Sequence, residues 1–206
     1  MPQQIHHHTF ANGLTLLAER MDHVRSAALN FLVPAGCVHD PADRLGAASV
    51  LAEMITRGAG ERDSRALSLA LDNLGVDRDE SVGQLHQRFW GATLATNLGA
   101  ALEIYADILR RPHLPADELD AVKALALQDL QSLQDDPKAL VMVELRRRYW
   151  PLPLGRDRRG TPAGLKRITA ASVRQQYERT FGPKDTILSV AGNIEWPALR
   201  AQVERL

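Results

Sequence analysis

Residues 5–19, Ile-His-His-His-Thr-Phe-Ala-Asn-Gly-Leu-Thr-Leu-Leu-Ala-Glu, decide the start of the fold because a turn signal separates two strand-like segments. Asn12-Gly13 is typical of a two-residue hairpin turn. Residues 5–10 before the turn and residues 14–19 after it have the composition of strands. Residues 26–35 form a third apolar stretch that ends at a Pro-Ala-Gly sequence. These features predict that the chain begins with an antiparallel sheet.

Helical segments follow and then alternate with strands. Residues 45–57 place apolar side chains at helical spacing, and we expect Asp63 or Ser64 to cap a second helix that ends at Gly75. The further predicted elements are strands at residues 76–81, 84–96 and 186–191 and helices at residues 97–111, 115–134, 136–150 and 169–181. Since most neighbouring strands are joined by hairpins, this order predicts an α+β domain, a largely antiparallel β-sheet with helices on one face.

Composition and length exclude several classes of protein. A chain of 206 residues suits one domain with a sizeable core. Its 25 Lys and Arg balance 25 Asp and Glu, whereas a nucleic-acid-binding protein usually carries a basic excess. No apolar run approaches the roughly 20 residues that a membrane-spanning helix needs. Cys37 is the only cysteine, so an intrachain disulfide is excluded.

The two ends of the sequence predict a fragment of a longer protein. Residues 1–8 lack the basic start and apolar segment of a signal peptide. Residues 195–206 have the composition of a helix start with no stop signal after it. We therefore expect the natural chain to continue.

A series of short motifs then points to a family. In chain order they are Phe10-Ala11-Asn12-Gly13-Leu14, Ala35-Gly36-Cys37-Val38-His39-Asp40-Pro41, Gly46-Ala47-Ala48, Arg111-Pro112, Tyr149-Trp150-Pro151, Leu154-Gly155-Arg156, Gly160 and Ser189-Val190-Ala191-Gly192-Asn193. Their order and spacing resemble the N-terminal domain of the M16 zinc peptidases, the relatives of insulinase, pitrilysin and mitochondrial processing peptidase. The resemblance covers nearly the whole chain. It implies a LuxS/MPP-like metallohydrolase domain, with residues 1–206 as one domain of a longer two-domain subunit.

The resemblance also locates the positions of the family's zinc motif, His-x-x-Glu-His, in which two histidines bind the metal and the glutamate is the general base. The register set by Gly46-Ala47-Ala48 places Ser49 and Glu53 at the two histidine positions and Ala52 at the base. The resemblance of residues 123–130 to the family's second helix places Asp129 at the third-ligand position. Asp129 follows Glu53 by 76 residues, close to the family spacing.

These four residues lack the family's chemistry. Zinc prefers His, Cys and carboxylate donors, but Ser49 is a poor ligand and Ala52 accepts no proton. We therefore expect no catalytic residues, no zinc and no other cofactor. An alternative left open is an atypical peptidase in which Glu53 and Asp129 hold another metal.

The resemblance implies a non-catalytic partner, because M16 relatives without the motif commonly serve as the second half of an active peptidase. Such a partner would contribute the wall of a shared chamber that holds a peptide or protein substrate. A scaffold domain without a peptidase partner is a further alternative. Inactive relatives from Gram-negative bacteria are often exported, so we expect a periplasmic location.

Histidine and cysteine offer no clear second site. His6 and His8 alone of the His6-His7-His8 run share a strand face, and solvated histidines on an edge strand are the favoured interpretation. A catalytic Cys37 needs a histidine paired in space, and the sequence implies none, so packing is expected.

The only basic cluster joins Arg146-Arg147-Arg148 to Arg156, Arg158 and Arg159. With Tyr149 and Trp150 it has the composition of a nucleic-acid or phosphate site. A helix C-terminus with favourable cations followed by a solvated loop is the favoured interpretation, because the chain as a whole is neutral.

Overall fold

The computed structural model describes residues 4–206, and within them six strands form one mixed sheet and two short strands form a separate hairpin. The sheet strands are β1 Ile5–Thr9, β2 Thr15–Arg20, β3 Ser26–Val33, β6 Asp77–Val82, β7 Gln87–Leu94 and β8 Ile187–Gly192, and the hairpin strands are β4 Gly58–Ala59 and β5 Arg62–Asp63. The order across the sheet is β1-β2-β8-β3-β7-β6. Residues 1–3, part of the stretch in which no targeting segment is predicted, lie outside the described residues.

Eight α-helices accompany the strands in the described residues, with 3₁₀ turns between some of them. They are α1 Ala47–Ile55, α2 Ser64–Asn73, α3 Leu98–Arg110, α4 Leu119–Ser132, α5 Pro137–Tyr149, α6 Pro162–Arg167, α7 Ala170–Thr180 and α8 Trp196–Arg205. None of these helices combines the length and the apolar character needed to cross a membrane.

The core lies between one face of the sheet and the helices. Side chains alternate along β3, so that every second residue is buried and the others are partly exposed. The buried Leu29 and Phe31 of β3 join Leu16 of β2 and Leu188 of β8 in one cluster, which also includes Leu51 of α1. The predicted α+β architecture, a largely antiparallel sheet with helices on one face, is therefore confirmed.

Strand β8 lies in the centre of the sheet, between β2 and β3. A prediction based on hairpins between consecutive strands did not place it there. It pairs parallel with β2 and antiparallel with β3, so β2 and β3 are not neighbours although they follow each other in sequence. The predicted hairpins are present at β1–β2 and β6–β7. The apolar β8 can enter the centre because both of its edges find hydrogen-bonding partners there.

Several local predictions need correction. The first turn has three loop residues, 11–13, because the Phe10 amide donates to the Leu14 carbonyl at 2.9 Å. Asn97, the first residue of the predicted helix 97–111 and a residue type that often caps helices, does not cap α3 through its side chain; its side-chain amide nitrogen donates to the Leu74 carbonyl instead. Helix α6, with Pro162 in its first turn and a side-chain cap from Thr161, was not predicted.

Candidate functional site

Helix α1 begins against a buried carboxylate. Asp40 is only 4% exposed, and its two oxygens accept hydrogen bonds from the amides of Gly46 at 2.7 Å and Ala48 at 2.8 Å. Burial raises the pKa of Asp40 to about 6, although these amides and nearby arginines favour the charged form. This carboxylate fixes the helix that carries the motif positions.

The segment 156–160 packs on the start of α1. The Arg156 guanidinium donates to the carbonyls of Val38 at 3.0 Å and Asp40 at 2.7 Å. Gly160 has a φ of +77°, and a Cβ there would lie 2.1 Å from the Leu45 carbonyl oxygen. Since only glycine tolerates both conditions, the close approach of this segment to α1 depends on Gly160.

The first two motif positions are already engaged in the fold. The Ser49 hydroxyl donates to the Arg158 carbonyl at 2.8 Å, so the segment covers the first histidine position. Ala52, at the position of the general base, is 5% exposed and packs in a small cluster with Cys37, Ala48 and Val82. A methyl group in an apolar cluster cannot activate a water molecule.

Glu53, at the second histidine position, lies toward a different part of the surface. Its carboxylate is 4.0 Å from Arg57, which also pairs with Glu118 at 3.1 Å. Glu53 lines a pocket of about 290 Å³ that also contains Glu80. Burial, together with the charge of Glu53, raises the pKa of Glu80. Glu53 therefore lies between a cation of its own helix, Arg57, and a like charge on β6, Glu80.

Asp129, at the third-ligand position, is paired with a cation supplied by the protein. The Nε atom of Arg159 lies 3.1 Å from an Asp129 carboxylate oxygen, and Nη1 lies 3.5 Å from Asp157. The Arg159 side chain is only 17% exposed. The Asp129 side chain is itself 59% exposed, and Arg159 Nε makes no hydrogen bond, so the contact is an ion pair without hydrogen-bond geometry at the position assigned to the family's third ligand.

The four positions do not fit a zinc ion. The two carboxylates are bound by different arginines, Ser49 donates its proton to a carbonyl, and Ala52 has no donor atom. Among residues 4–206, no three or more His, Cys, Asp or Glu side chains are arranged to hold a metal. A catalytic zinc site requires three such ligands and an open position.

The predicted histidine run is not assembled into a site. His6 and His8 share the half-buried face of β1, as the strand period requires, and His7 is exposed. The His6 ring stacks on Trp196 with centroids 5.0 Å apart, and His8 meets the edge of Phe10 at 4.6 Å. These two histidines pack on aromatic rings, so the expectation of solvated side chains holds only for His7.

Cys37 is fully buried. Burial, followed by the charges of Asp40 and Asp157, raises the pKa of its thiol to about 11. Because the thiolate is the nucleophile, this environment suits the packing role that the sequence predicts.

The structure divides the basic cluster into two parts. Arg156 and Arg159 point into the fold, whereas Arg147 and Arg148 are exposed, with side chains 65% and 81% accessible. Sequence reasoning missed the structural role of Arg159 because it treated the whole cluster as surface. The only available signal was the position of Arg159 between the family landmarks Arg156 and Gly160.

Curated relatives match nearly all of the chain. An uncharacterized zinc protease of Rickettsia felis is 26% identical over 196 residues, which are 95% of this chain and 48% of that protein. An uncharacterized zinc protease of Mycobacterium leprae is 24% identical over 196 residues, covering 95% of this chain and 44% of that protein. The chain therefore spans about half the length of these relatives.

Solved structures share the fold. A peptidase M16 inactive domain from Pseudomonas fluorescens superposes with a TM-score of 0.89 at 19% identity, over 98% of this chain and 50% of that one. The periplasmic protease PqqL from Escherichia coli gives 0.87 at 18% identity, over 100% and 24%. A mutant of the ferredoxin protease FusC in complex with Arabidopsis ferredoxin gives 0.82 at 16% identity, over 98% and 23%.

The sequence also matches a model of an established family. The match covers residues 15–161, which include the segments that build the site from Ser49 to Gly160. With this match and the fold it accompanies, the chain belongs to the insulinase family of peptidases, M16.

Proposed function

We propose that this chain is a non-catalytic M16 domain that partners an active zinc peptidase subunit and contributes to the wall of its substrate chamber. The observation that carries the proposal is the ion pair of Asp129 with Arg159, 3.1 Å apart. Asp129 is the conservative replacement among the assigned ligand positions, because the family's third ligand is also a carboxylate. The ion pair puts the positive charge of Arg159 next to that carboxylate. The remaining positions, Ser49 and Ala52, offer neither a metal ligand nor a base.

The expected loss of activity is large. Removal of a general base alone typically costs about 10²–10⁴ in rate. Removal of the metal also removes the means of generating a nucleophile from water at neutral pH. The domain would retain its fold, because its core of buried apolar residues does not depend on a metal.

The comparisons support the partner role by analogy. The P. fluorescens domain is described as inactive, and FusC is a protease seen in complex with a protein, ferredoxin. A periplasmic location is part of the same proposal, since PqqL is a periplasmic protease. A peptide or protein substrate shared with the active subunit follows from the same reasoning.

An atypical peptidase using Glu53 and Asp129 is less well supported. A shared metal would have to compete with the charge of Arg57, 4.0 Å from Glu53, and with that of Arg159, 3.1 Å from Asp129. No observation specifically favours a scaffold domain without a peptidase partner.

The test is reconstitution with an M16 subunit from the same source that keeps an intact His-x-x-Glu-His motif. We expect the two proteins to copurify and the complex to cleave peptides faster than the subunit alone. The control is the same complex in which the glutamate of the subunit's motif is replaced by glutamine, and it should be inactive. Absence of a complex, or peptidase activity in the control, would contradict the proposal.

A further inference from the structure

Helix α5 has little support from the rest of the domain. None of its 13 residues is buried. In the part of the chain that the structure describes, its extensive contacts are confined to the preceding turn, Leu133–Asp135. Isolated helices of about 12–15 residues are marginal in water. A helix of this kind is normally stabilised by another surface.

Apolar side chains occur on both sides of α5. Leu140 and Val143 are half-buried, while Val141, Met142 and Leu145 are more than half exposed. At about 100° per residue, the exposed side chains and Tyr149 fall within one sector of about 100°. An exposed apolar sector of this kind on a surface helix is typical of a protein contact, so the outer sector is suited to a partner.

Cations flank this apolar sector. Arg148 lies at one edge and Arg146 at the other by the same helical geometry. Arg147 and Arg148 share a single carboxylate, Glu144, at 2.9 and 3.8 Å. Residues 137–150, which form α5 and its last turn, contain four Lys and Arg against one Glu, a net charge of +3 in a chain whose net charge is zero. The local excess favours an acidic partner.

The residues after α5 extend the same surface. Tyr149 and Trp150 meet edge to face with centroids 5.0 Å apart, and Leu152 is 76% exposed. Tyr, Trp, Met and Arg are the side chains enriched in protein interfaces. The exposed aliphatic residues favour a polypeptide over a nucleic acid. The apolar character of both helix sides favours a polypeptide over a membrane, which selects strongly one-sided helices.

We propose that this α5 surface binds an acidic amphipathic segment of a partner polypeptide. The α5 surface is formed by Val141, Met142, Leu145, Arg146, Arg148, Tyr149, Trp150 and Leu152. Leucine-like side chains of the segment would cover the apolar sector, and its carboxylates would pair with the flanking arginines. The inference deepens the proposed function, on which it rests, by giving the chemistry of the partner's contact.

The test uses the full chain and two fluorescent helical peptides with the same leucine positions, one with glutamates and one with lysines at the remaining positions. Anisotropy should show binding of the acidic peptide that weakens at least about tenfold between about 0.05 and 0.3 M salt. R146E/R148E and V141S/L145S should each weaken binding at least about tenfold. The matched control, R65E/R200E, reverses two exposed arginines of α2 and α8 and should leave binding unchanged.

Circular dichroism and thermal melting should show that each variant is folded. Equal binding of the two peptides, or acidic-peptide binding that survives both α5 variants, would overturn the proposal. Binding of a phosphatidylserine vesicle or an oligonucleotide without binding of the acidic peptide would also overturn it, in favour of a membrane or a nucleic acid. If the active M16 subunit copurifies equally well with both α5 variants, this inference fails alone. If the acidic peptide binds but no active subunit copurifies, the proposed function fails instead.

Discussion

Asp129 and Arg159 illustrate at the scale of single residues how a ligand position acquires another role. Their ion pair spans 3.1 Å and lies beside the Ser49 hydroxyl's bond to the segment 156–160. A guanidinium is permanently charged and repels a divalent cation at this range. A metal at Asp129 would therefore have to compete with the charge of Arg159.

This arrangement predicts that restoring the motif alone will not restore zinc binding. The triple variant S49H/A52E/E53H should bind well under one zinc ion per chain. Addition of Arg159→Ala should increase the bound zinc by freeing Asp129. Zinc content of the purified variants, measured by plasma mass spectrometry, checks both expectations.

The matched control is Arg158→Ala added to the same triple variant. Arg158 contributes its backbone carbonyl to the contact with Ser49, so removal of its exposed side chain should not change zinc binding. One zinc ion per chain in the triple variant itself would show that Arg159 does not prevent zinc binding at these positions.

The raised pKa of Asp40 predicts that its contribution to the stability of the domain falls as the pH rises. Its pKa rises from 3.8 to about 6 on folding, so between these values the folded state retains a proton that the unfolded state releases. Stability contributed by this group is therefore complete below about pH 4 and is lost as the pH rises through about 6. Relative to Asp40→Asn, the wild type should lose about 1–3 kcal/mol of unfolding free energy across this range.

Urea unfolding of both proteins at several pH values measures this difference. The comparison with Asp40→Asn cancels the titration of the other carboxylates. A wild type that gains stability relative to the variant as the pH rises would show that the amide hydrogen bonds outweigh burial.

The assignment of residues to the motif positions stays a prediction, whereas the contacts that those residues make could not be predicted from the sequence. Ser49, Ala52 and Glu53 follow from a local helix register, and Asp129 from a second one. The partner of Asp129 is 30 residues away along the chain, and its contact depends on how the segment 156–160 folds back. Arg159 therefore looked like a surface cation beside Arg158.

At the scale of secondary-structure elements, we expect the packing of the segment 156–160 on α1 to depend on Gly160. Gly160→Ala should destabilise the domain by about 1–3 kcal/mol through backbone strain alone, with a further cost from the contact with Leu45. Gly182→Ala is the matched control, because a Cβ there would meet nothing within 4 Å. The control should change stability by less than about 0.5 kcal/mol.

Urea midpoints of the two variants check this prediction. Because Arg159 belongs to the segment 156–160, Gly160→Ala should also weaken the Arg159–Asp129 ion pair. Equal midpoints for the two variants would contradict the proposed close packing of the segment on α1.

Helices and strands that turn or cap residues mark in the sequence were predictable. The order of the strands in the sheet was less predictable. Asn12-Gly13 marked the first hairpin, and Asp63 caps α2 through a bond from the Ala66 amide at 2.8 Å. The central place of β8 was not predictable from local signals, because its pairing with β2 joins residues that are more than 170 positions apart. Only the apolar run of β8 indicated a strand with two neighbours.

At the scale of the whole molecule, a neutral chain carries a positive segment next to the positions that the resemblance assigns to the family's metal site. The positive residues 137–159 include both the exposed α5 surface and Arg159, which pairs with Asp129. The chain also spans about half the length of its curated relatives. The proposed contact with another polypeptide rests on the positive segment and the exposed α5 surface.

The most direct test is the metal content and peptidase activity of the purified chain, measured beside an M16 subunit with an intact motif. The account predicts well under one zinc ion per chain, no chelator-sensitive peptide hydrolysis and a melting temperature that a chelator leaves unchanged. The intact subunit should contain about one zinc ion per chain. Its peptide hydrolysis should be chelator-sensitive, and a chelator should lower its melting temperature. One zinc ion per chain together with chelator-sensitive hydrolysis by this chain alone would contradict the account.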